Sequence, residues 1–261
     1  MLRKICYFPL DAFDTLLGRR DELTPPRGLV FVGGGDFKKV GDEFLRHFIE
    51  LGSLRPDARV LDIGCGIGRM AVPLIRYLEN GTYEGFDIVP DGIDWCNDRI
   101  TPKFPNFHFQ LADVYNKAYN PHGSQEASQY RFPYNDGAFD FAFATSVFTH
   151  MLPAELDRYT QEMSRVLKPG ERCLATFFLL NDESLRAINE GRSQIDFKFE
   201  LEGFRTSDRR TPESAVAYPE KTIHALLMKH GLATDGIAHY GSWSGKTPFV
   251  SFQDIIVARK S

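Results

Sequence analysis

The sequence predicts an α/β protein built on a mostly parallel sheet with helices on both faces, and three observations carry that prediction. Short apolar runs alternate with longer stretches of helical periodicity, the pattern of repeated βαβ units. One run ends in a glycine-rich turn, VLDIGCGIGRM at 60–70, of the kind that joins a strand to a helix at the carboxyl edge of a parallel sheet. Near the end, ATDGIAHY and SFQDIIVARK are both strand-like and are joined by a loop, which favours an antiparallel C-terminal strand.

Taken in order, residues 1 to about 35 form an irregular arm: a short helix in DAFDTLLGRR, then TPPRG, then VGGGDF. Between Asp36 and Gly52 the apolar residues Phe37, Val40, Phe44, Leu45, Phe48, Ile49 and Leu51 share one helical face, so 1–54 reads as an arm with a lead-in helix. Strands are expected at 59–64, 82–88, 107–113, 139–145 and 173–179, with helices at 69–79, 91–99 and 153–167 between them. LKPGE at 167–171 ends the last of these, and a further helix at about 219–230 stops at Gly231. The domain proper is then 55–261, interrupted by two long connections at about 114–138 and 180–218, natural places for inserted cap segments.

Composition narrows the function classes. With 31 basic and 35 acidic residues, a formal charge of −4 and no long run of either sign, the chain has no electrostatic footprint for nucleic acid or an anionic membrane. Cys6, Cys65, Cys96 and Cys173 form no CxxC pair, so neither a zinc site nor a disulfide framework is suggested, and no carboxylate cluster suggests another metal. The N-terminal MLRKICYFPLDAFD is broken by Pro9 and Asp11 short of a secretory segment, and no stretch is long enough to span a bilayer. These features describe a cytoplasmic protein with a small partner.

The glycines of the turn ask for a ligand. A bare strand-to-helix turn accounts for one or two of them, while Gly64, Gly66 and Gly68 mark a backbone approached closely. A dinucleotide fingerprint needs its third glycine one place later, where this chain has Arg69, and a P-loop needs a GK[ST] that is absent. What remains is D-x-G-x-G-x-G with Asp62 inside the motif, suited to a cofactor with an amino-acid end.

DIGCGIG resembles the first motif of the class I, Rossmann-like S-adenosylmethionine-dependent methyltransferases, and four further stretches continue the resemblance from about 55 to 180. It implies a seven-stranded sheet and S-adenosyl-L-methionine as cofactor. On the same resemblance, Asp87 with Ile88, in YEGFDIV nineteen residues past Gly68, takes the ribose hydroxyls; Asp113 and Val114, in FQLADV, meet the adenine. FDFAFATSVFTHML matches the fourth strand, where backbone at Ala144 and Thr145 meets the methionine end, and LKPGERCLATFF matches the fifth, with Glu171 in place of the usual second glycine.

His150, just past the fourth strand, is the candidate general base, its ordinary pKa near 6.5 suiting deprotonation of a hydroxyl; the bland alternative is a helix-end contact or a positioning role. No N/D-P-P-Y run follows that strand, which shifts weight toward O-methylation of a small molecule or glycan, with nitrogen or carbon acceptors, an NAD-type oxidoreductase and a silent cofactor-binding protein as alternatives. Phe37, Tyr115, Tyr130, Arg205, Arg209, Arg210, Tyr218 and Trp243 are candidates either to cover an acceptor or to form the cap's own core. The oligomeric state, a homodimer included, is not written in the sequence.

Overall fold

Phe44 and Phe48, one turn apart, bury the apolar stripe of α1 (Phe37–Glu50), and the Asp36 side chain caps its first turn by accepting from the Lys39 N–H at 2.9 Å. The computed structural model describes residues 10, 11, 13, 14, 17, 20–30, 34–117 and 119–261. The helix expected in DAFDTLLGRR and the VGGGDF stretch fall partly outside them, and Cys6 wholly so.

The described chain is mixed α/β and divides into two compact units, one through Ser124 and one from Gln125. In the first, β1 (Arg59–Ile63), β2 (Thr82–Asp87) and β3 (Phe107–Leu111) run parallel with β2 in the middle, Asp62 lying opposite Gly85. Parallel strands need crossovers, supplied by α2 (Ala71–Ile75) and α3 (Pro90–Arg99). The helix expected over 69–79 is thus only five residues: Pro73 removes one N–H, and the chain leaves in a tight turn in which Arg76 donates to the Pro73 carbonyl.

In the second unit β4 (Phe139–Ala144) lies parallel to β5 (Leu167–Phe177), with α4 (Pro153–Val166) between them. LKPGE does not merely end the helix as expected; it is already strand. Phe139 faces Leu167 and Phe141 faces Arg172, so residues 168–171 bulge out of the ladder, with Gly170 at φ +82° making the bend.

The C-terminal half of this unit adds α5 (Asp182–Asn189) and α6 (Glu220–Lys229) to a second, small sheet. Residues 180–218 are not a bare connection: β6 (Leu179–Leu180), β7 (Phe199–Leu201), β8 (Phe204–Thr206) and β9 (Val216–Pro219) pair in the order β6-β9-β8-β7 over a core of Phe178, Leu180, Phe197, Ala217 and Trp243. The run ATDGIAHY splits at Gly236 into β10 (Leu232–Ala233) and β11 (Ala238–His239). Both pair antiparallel with β12 (Asp254–Lys260), which is itself antiparallel to β5, as expected for the last strand. Among the described residues no helix is long and apolar enough to cross a membrane.

Candidate functional site

The glycine turn hangs from the end of β2. The N–H groups of Gly64 and Cys65 both donate to the Phe86 carbonyl, at 2.9 and 3.0 Å, and Gly64, Gly66 and Gly68 sit at φ +78°, +56° and +76°. Any side chain at these three positions would strain the backbone, so the alternating glycines are a conformational requirement of the turn.

Asp87, the last residue of β2, braces this turn. Its Oδ2 accepts from the Gly66 N–H at 2.7 Å and its Oδ1 from the Val89 N–H at 2.9 Å. Burial raises its pKa, against backbone bonds from Val89, Gly66 and Ile88 that favour the carboxylate. A carboxylate has about four lone-pair positions, so acceptor capacity is left after these contacts. Its backbone carbonyl accepts from Ala112 at 2.8 Å, which ties the end of β3 to the same sheet edge.

Asp62, beside the turn in β1, is 1% exposed and holds a different balance. Its Oδ2 accepts from the Tyr83 hydroxyl at 2.6 Å, while its buried Oδ1 has no hydrogen-bond partner. Burial pushes its pKa up to about 8; the Tyr83 bond works against that rise and the charge of Asp87 adds to it. An orphaned buried carboxylate oxygen is costly, and a donor or cation placed beside it relieves the cost.

Asp62, Gly64, Gly66, Gly68, Asp87 and Ile88 therefore come together at one edge of the first unit. Val114 is buried close in sequence to the same edge, whereas Asp113 is exposed and its carboxylate accepts from the backbone N–H and hydroxyl of Ser124, which hold its pKa down. The Asp113 carboxylate thus caps the loop that follows it, and it is not shown turned to an adenine as the resemblance implies.

In the second unit Ala144 ends β4 opposite Ala175, and Thr145 opens the turn that follows. Ser146 occupies the left-handed region at φ +57°, held by its N–H on the Thr176 hydroxyl at 2.8 Å and by its own hydroxyl on Gln253 at 3.1 Å. His150 closes the 3₁₀ turn Phe148–His150, with Nδ1 3.0 Å from the Glu213 carbonyl oxygen. A carbonyl only accepts, so Nδ1 carries the proton and the neutral ring keeps its lone pair on Nε2. Burial lowers the His150 pKa, partly offset by bonds to the Glu213 and Ser214 backbones.

Residues 60–170 match a family model described as a methyltransferase domain. Over that stretch, less than half of its length, the chain is similar to methyltransferases. It is 26% identical over 200 residues to methyltransferase GfsG of Streptomyces halstedii, covering 74% of this chain and 59% of that one. It is 31% identical over 118 residues to the fatty-acid O-methyltransferase of Mycolicibacterium smegmatis, covering 45% of this chain and 36% of that one. The chain thus spans less than two thirds of these relatives' lengths. In fold it is similar to the magnesium protoporphyrin IX methyltransferase of Synechocystis PCC 6803, solved with SAH bound, with a TM-score of 0.56, 15% identity and coverage of 90% of this chain and 92% of that one.

The orphaned Asp62 oxygen and the three left-handed glycines fit the S-adenosylmethionine that these relatives imply: they leave open backbone and unspent acceptor capacity at one edge. Among the cap candidates, Tyr130, Tyr218 and Trp243 are buried as core, Tyr218 donating to the Met151 carbonyl at 2.6 Å. Arg205 is paired with Glu200 at 2.8 Å, Arg209 and Arg210 are exposed, and Tyr115 is 42% exposed. The Arg69 guanidinium lies 5.8 Å over the Phe37 ring. His108, His224 and His230 are engaged with Glu84, Thr234 and Asp157, as structural or solvated roles require.

Sequence reasoning missed two buried acids of the chain. Glu162 accepts from the Phe132 N–H at 2.9 Å and pairs with Arg165 at 2.6 Å; Asp254 accepts from three donors. An acid on the apolar face of a helix or at the head of an apolar strand was the available signal.

Proposed function

We propose that this chain transfers the methyl group of S-adenosylmethionine to a hydroxyl of a small molecule or glycan. The observation that carries the reading is the left-handed glycine turn braced through Gly66 by Asp87, beside the unpartnered oxygen of Asp62. The bound cofactor supplies an electrophilic methyl on a sulfonium. Asp87, with Ile88 beside it, accepts from the ribose hydroxyls with its remaining lone pairs; Val114 attends the adenine end, where the Asp113 carboxylate is already engaged by Ser124; and the resemblance assigns the methionine end to the backbone of Ala144 and Thr145. The oxygen acceptor is supported by the fatty-acid O-methyltransferase among the relatives.

Methyl transfer is an in-line displacement, so most of the acceleration comes from holding donor and acceptor in attack geometry. His150 removes the acceptor's proton through Nε2, its ring orientation fixed by the Glu213 carbonyl. Asp87, by holding the ribose, keeps the cofactor from drifting while this occurs.

The test is binding of S-adenosylmethionine by calorimetry, followed by product formation with a panel of alcohol, amine and carbon acceptors. Tight binding with turnover only on hydroxyls is expected; no binding sinks the cofactor reading, and turnover only on amines or carbon sinks the acceptor. With the best acceptor, His150→Gln is expected to lower kcat by about 10²-fold or more while leaving cofactor affinity within twofold. Because burial lowers the His150 pKa, the acidic fall in wild-type kcat should lie below pH 6.5. A fall centred above 6.5, or an unchanged kcat in the variant, removes His150 as the base.

A further inference from the structure

Tyr83 and Gly85 are two residues apart on β2 and point to the same face, and Gly85 is the ladder partner of Asp62 on β1. A Cβ on Gly85 would meet Cε1 and Oη of Tyr83, both at 2.9 Å. The phenol therefore lies flat along its own strand, over the place where a side chain at 85 would stand, and reaches diagonally to Asp62 Oδ2 at 2.6 Å. Its ring is stacked on Phe107, with centroids 5.0 Å apart, and tilted against Phe109 at 5.4 Å. Packing alone needs only the ring; the hydroxyl has one partner, Asp62.

We propose that Tyr83 is a positioning residue of the cofactor site: its hydroxyl, carried over Gly85, holds one oxygen of Asp62 so that the other is kept for a cationic or N–H donor group of the bound cofactor. The inference rests on the cofactor reading above. Asp62 binds such a group best as the carboxylate, and the Tyr83 bond favours that form against burial. The titratable groups that face Asp62 within its unit are Tyr83 on β2, Asp87 at its end, Cys65 in the turn and Cys96 on α3. Burial keeps both thiols protonated, so they add no charge near neutrality.

The test is calorimetric binding of S-adenosylhomocysteine to the full chain between pH 6 and 9, in buffers of different ionisation enthalpy to count protons released. Wild type should bind with affinity falling as pH drops and with proton release near neutrality. Tyr83→Phe keeps the ring stack and removes only the oxygen; it should bind about tenfold more weakly at pH 7.5. Without the bond the carboxyl is harder to ionise, so its loss of affinity should begin at higher pH. Asp62→Asn should lose the share of pH dependence that Tyr83→Phe displaces, and adding Tyr83→Phe to it should change the pH profile no further. Equal affinity and profile in Tyr83→Phe and wild type, or an equal profile shift in the Asp62→Asn background, overturns the positioning role. Absence of any binding by wild type instead overturns the cofactor reading.

Discussion

Asp87→Ala is expected to weaken S-adenosylmethionine binding by at least about a hundredfold. Hydrogen bonds to a charged acceptor are each worth roughly 1.5–3 kcal/mol, and the proposed ribose contacts are two of them, so about 3–6 kcal/mol, or roughly 10²–10⁴ in Kd, is at stake. The substitution also strips the brace from the Gly66 and Val89 N–H groups, leaving the turn without the carboxylate that sets its shape. Asp87→Asn keeps the volume and one good acceptor and should fall between the two. Calorimetry checks the order, and a Kd for Asp87→Ala within fivefold of wild type would falsify the ribose assignment.

The second large effect is on stability. Asp254 is 2% exposed and accepts from the Leu179 and Gly241 N–H groups at 2.8 and 2.7 Å and from the Trp243 indole at 2.7 Å. Asp254→Ala orphans all three donors at the root of the small sheet, a loss of about 3–5 kcal/mol. Unfolding followed by tryptophan emission should show it directly, since Trp243 is one of only two tryptophans in the chain. A midpoint unchanged in urea would mean that the three donors find water or other partners.

The same residue gives a pH dependence with a defined sign. Burial pushes Asp254 up to about 6, outweighing its three donors, whereas an unfolded aspartate titrates near 3.9. The native state then holds the proton more tightly, so this group's contribution is complete below about pH 4 and is lost as pH rises through 6, by about 2–3 kcal/mol. Asp254→Asn should flatten that part of the stability profile, and a wild-type stability that only rises between pH 4 and 6 after subtraction of the variant's curve would contradict it.

The parts of the fold carried by continuous local patterns were legible. β1 to β4 fall within a residue or two of the runs that announce them: β1, β2 and β4 are buried over most of their length, and β3 alternates, with Phe107 and Phe109 buried and His108 and Gln110 exposed. The three glycines and Asp87 stand at a legible spacing because the turn needs left-handed backbone at 64, 66 and 68 and a carboxylate that accepts from Gly66; their cofactor roles are the proposal above. The small sheet was not legible. Its strands β7 and β8 are three residues long and half exposed, and its core draws Phe178 and Trp243 from outside the segment 180–218. No window along the sequence contains that core.

Individual side chains failed to announce themselves on the same ground. Trp243 reads in sequence more readily as core than as an acceptor cover, and its indole N–H donates to Asp254, eleven residues away. Tyr83 looked like one aromatic of a strand, since the carboxylate it serves is 21 positions earlier. Asp113 is assigned to the adenine by the resemblance, whereas its carboxylate is engaged by Ser124 in the loop that follows.

The carbonyl that fixes the tautomer of His150 comes from Glu213, in the 3₁₀ turn Pro212–Ser214 that leads into β9 of the small sheet. If the inserted segment 180–218 is the cap that the sequence suggests, the piece that selects the acceptor also fixes which nitrogen of His150 keeps its lone pair. A lineage that exchanged this segment for another would trade selectivity and reactivity as a single inherited piece, and variants that altered one without the other would have to keep a carbonyl at that one position.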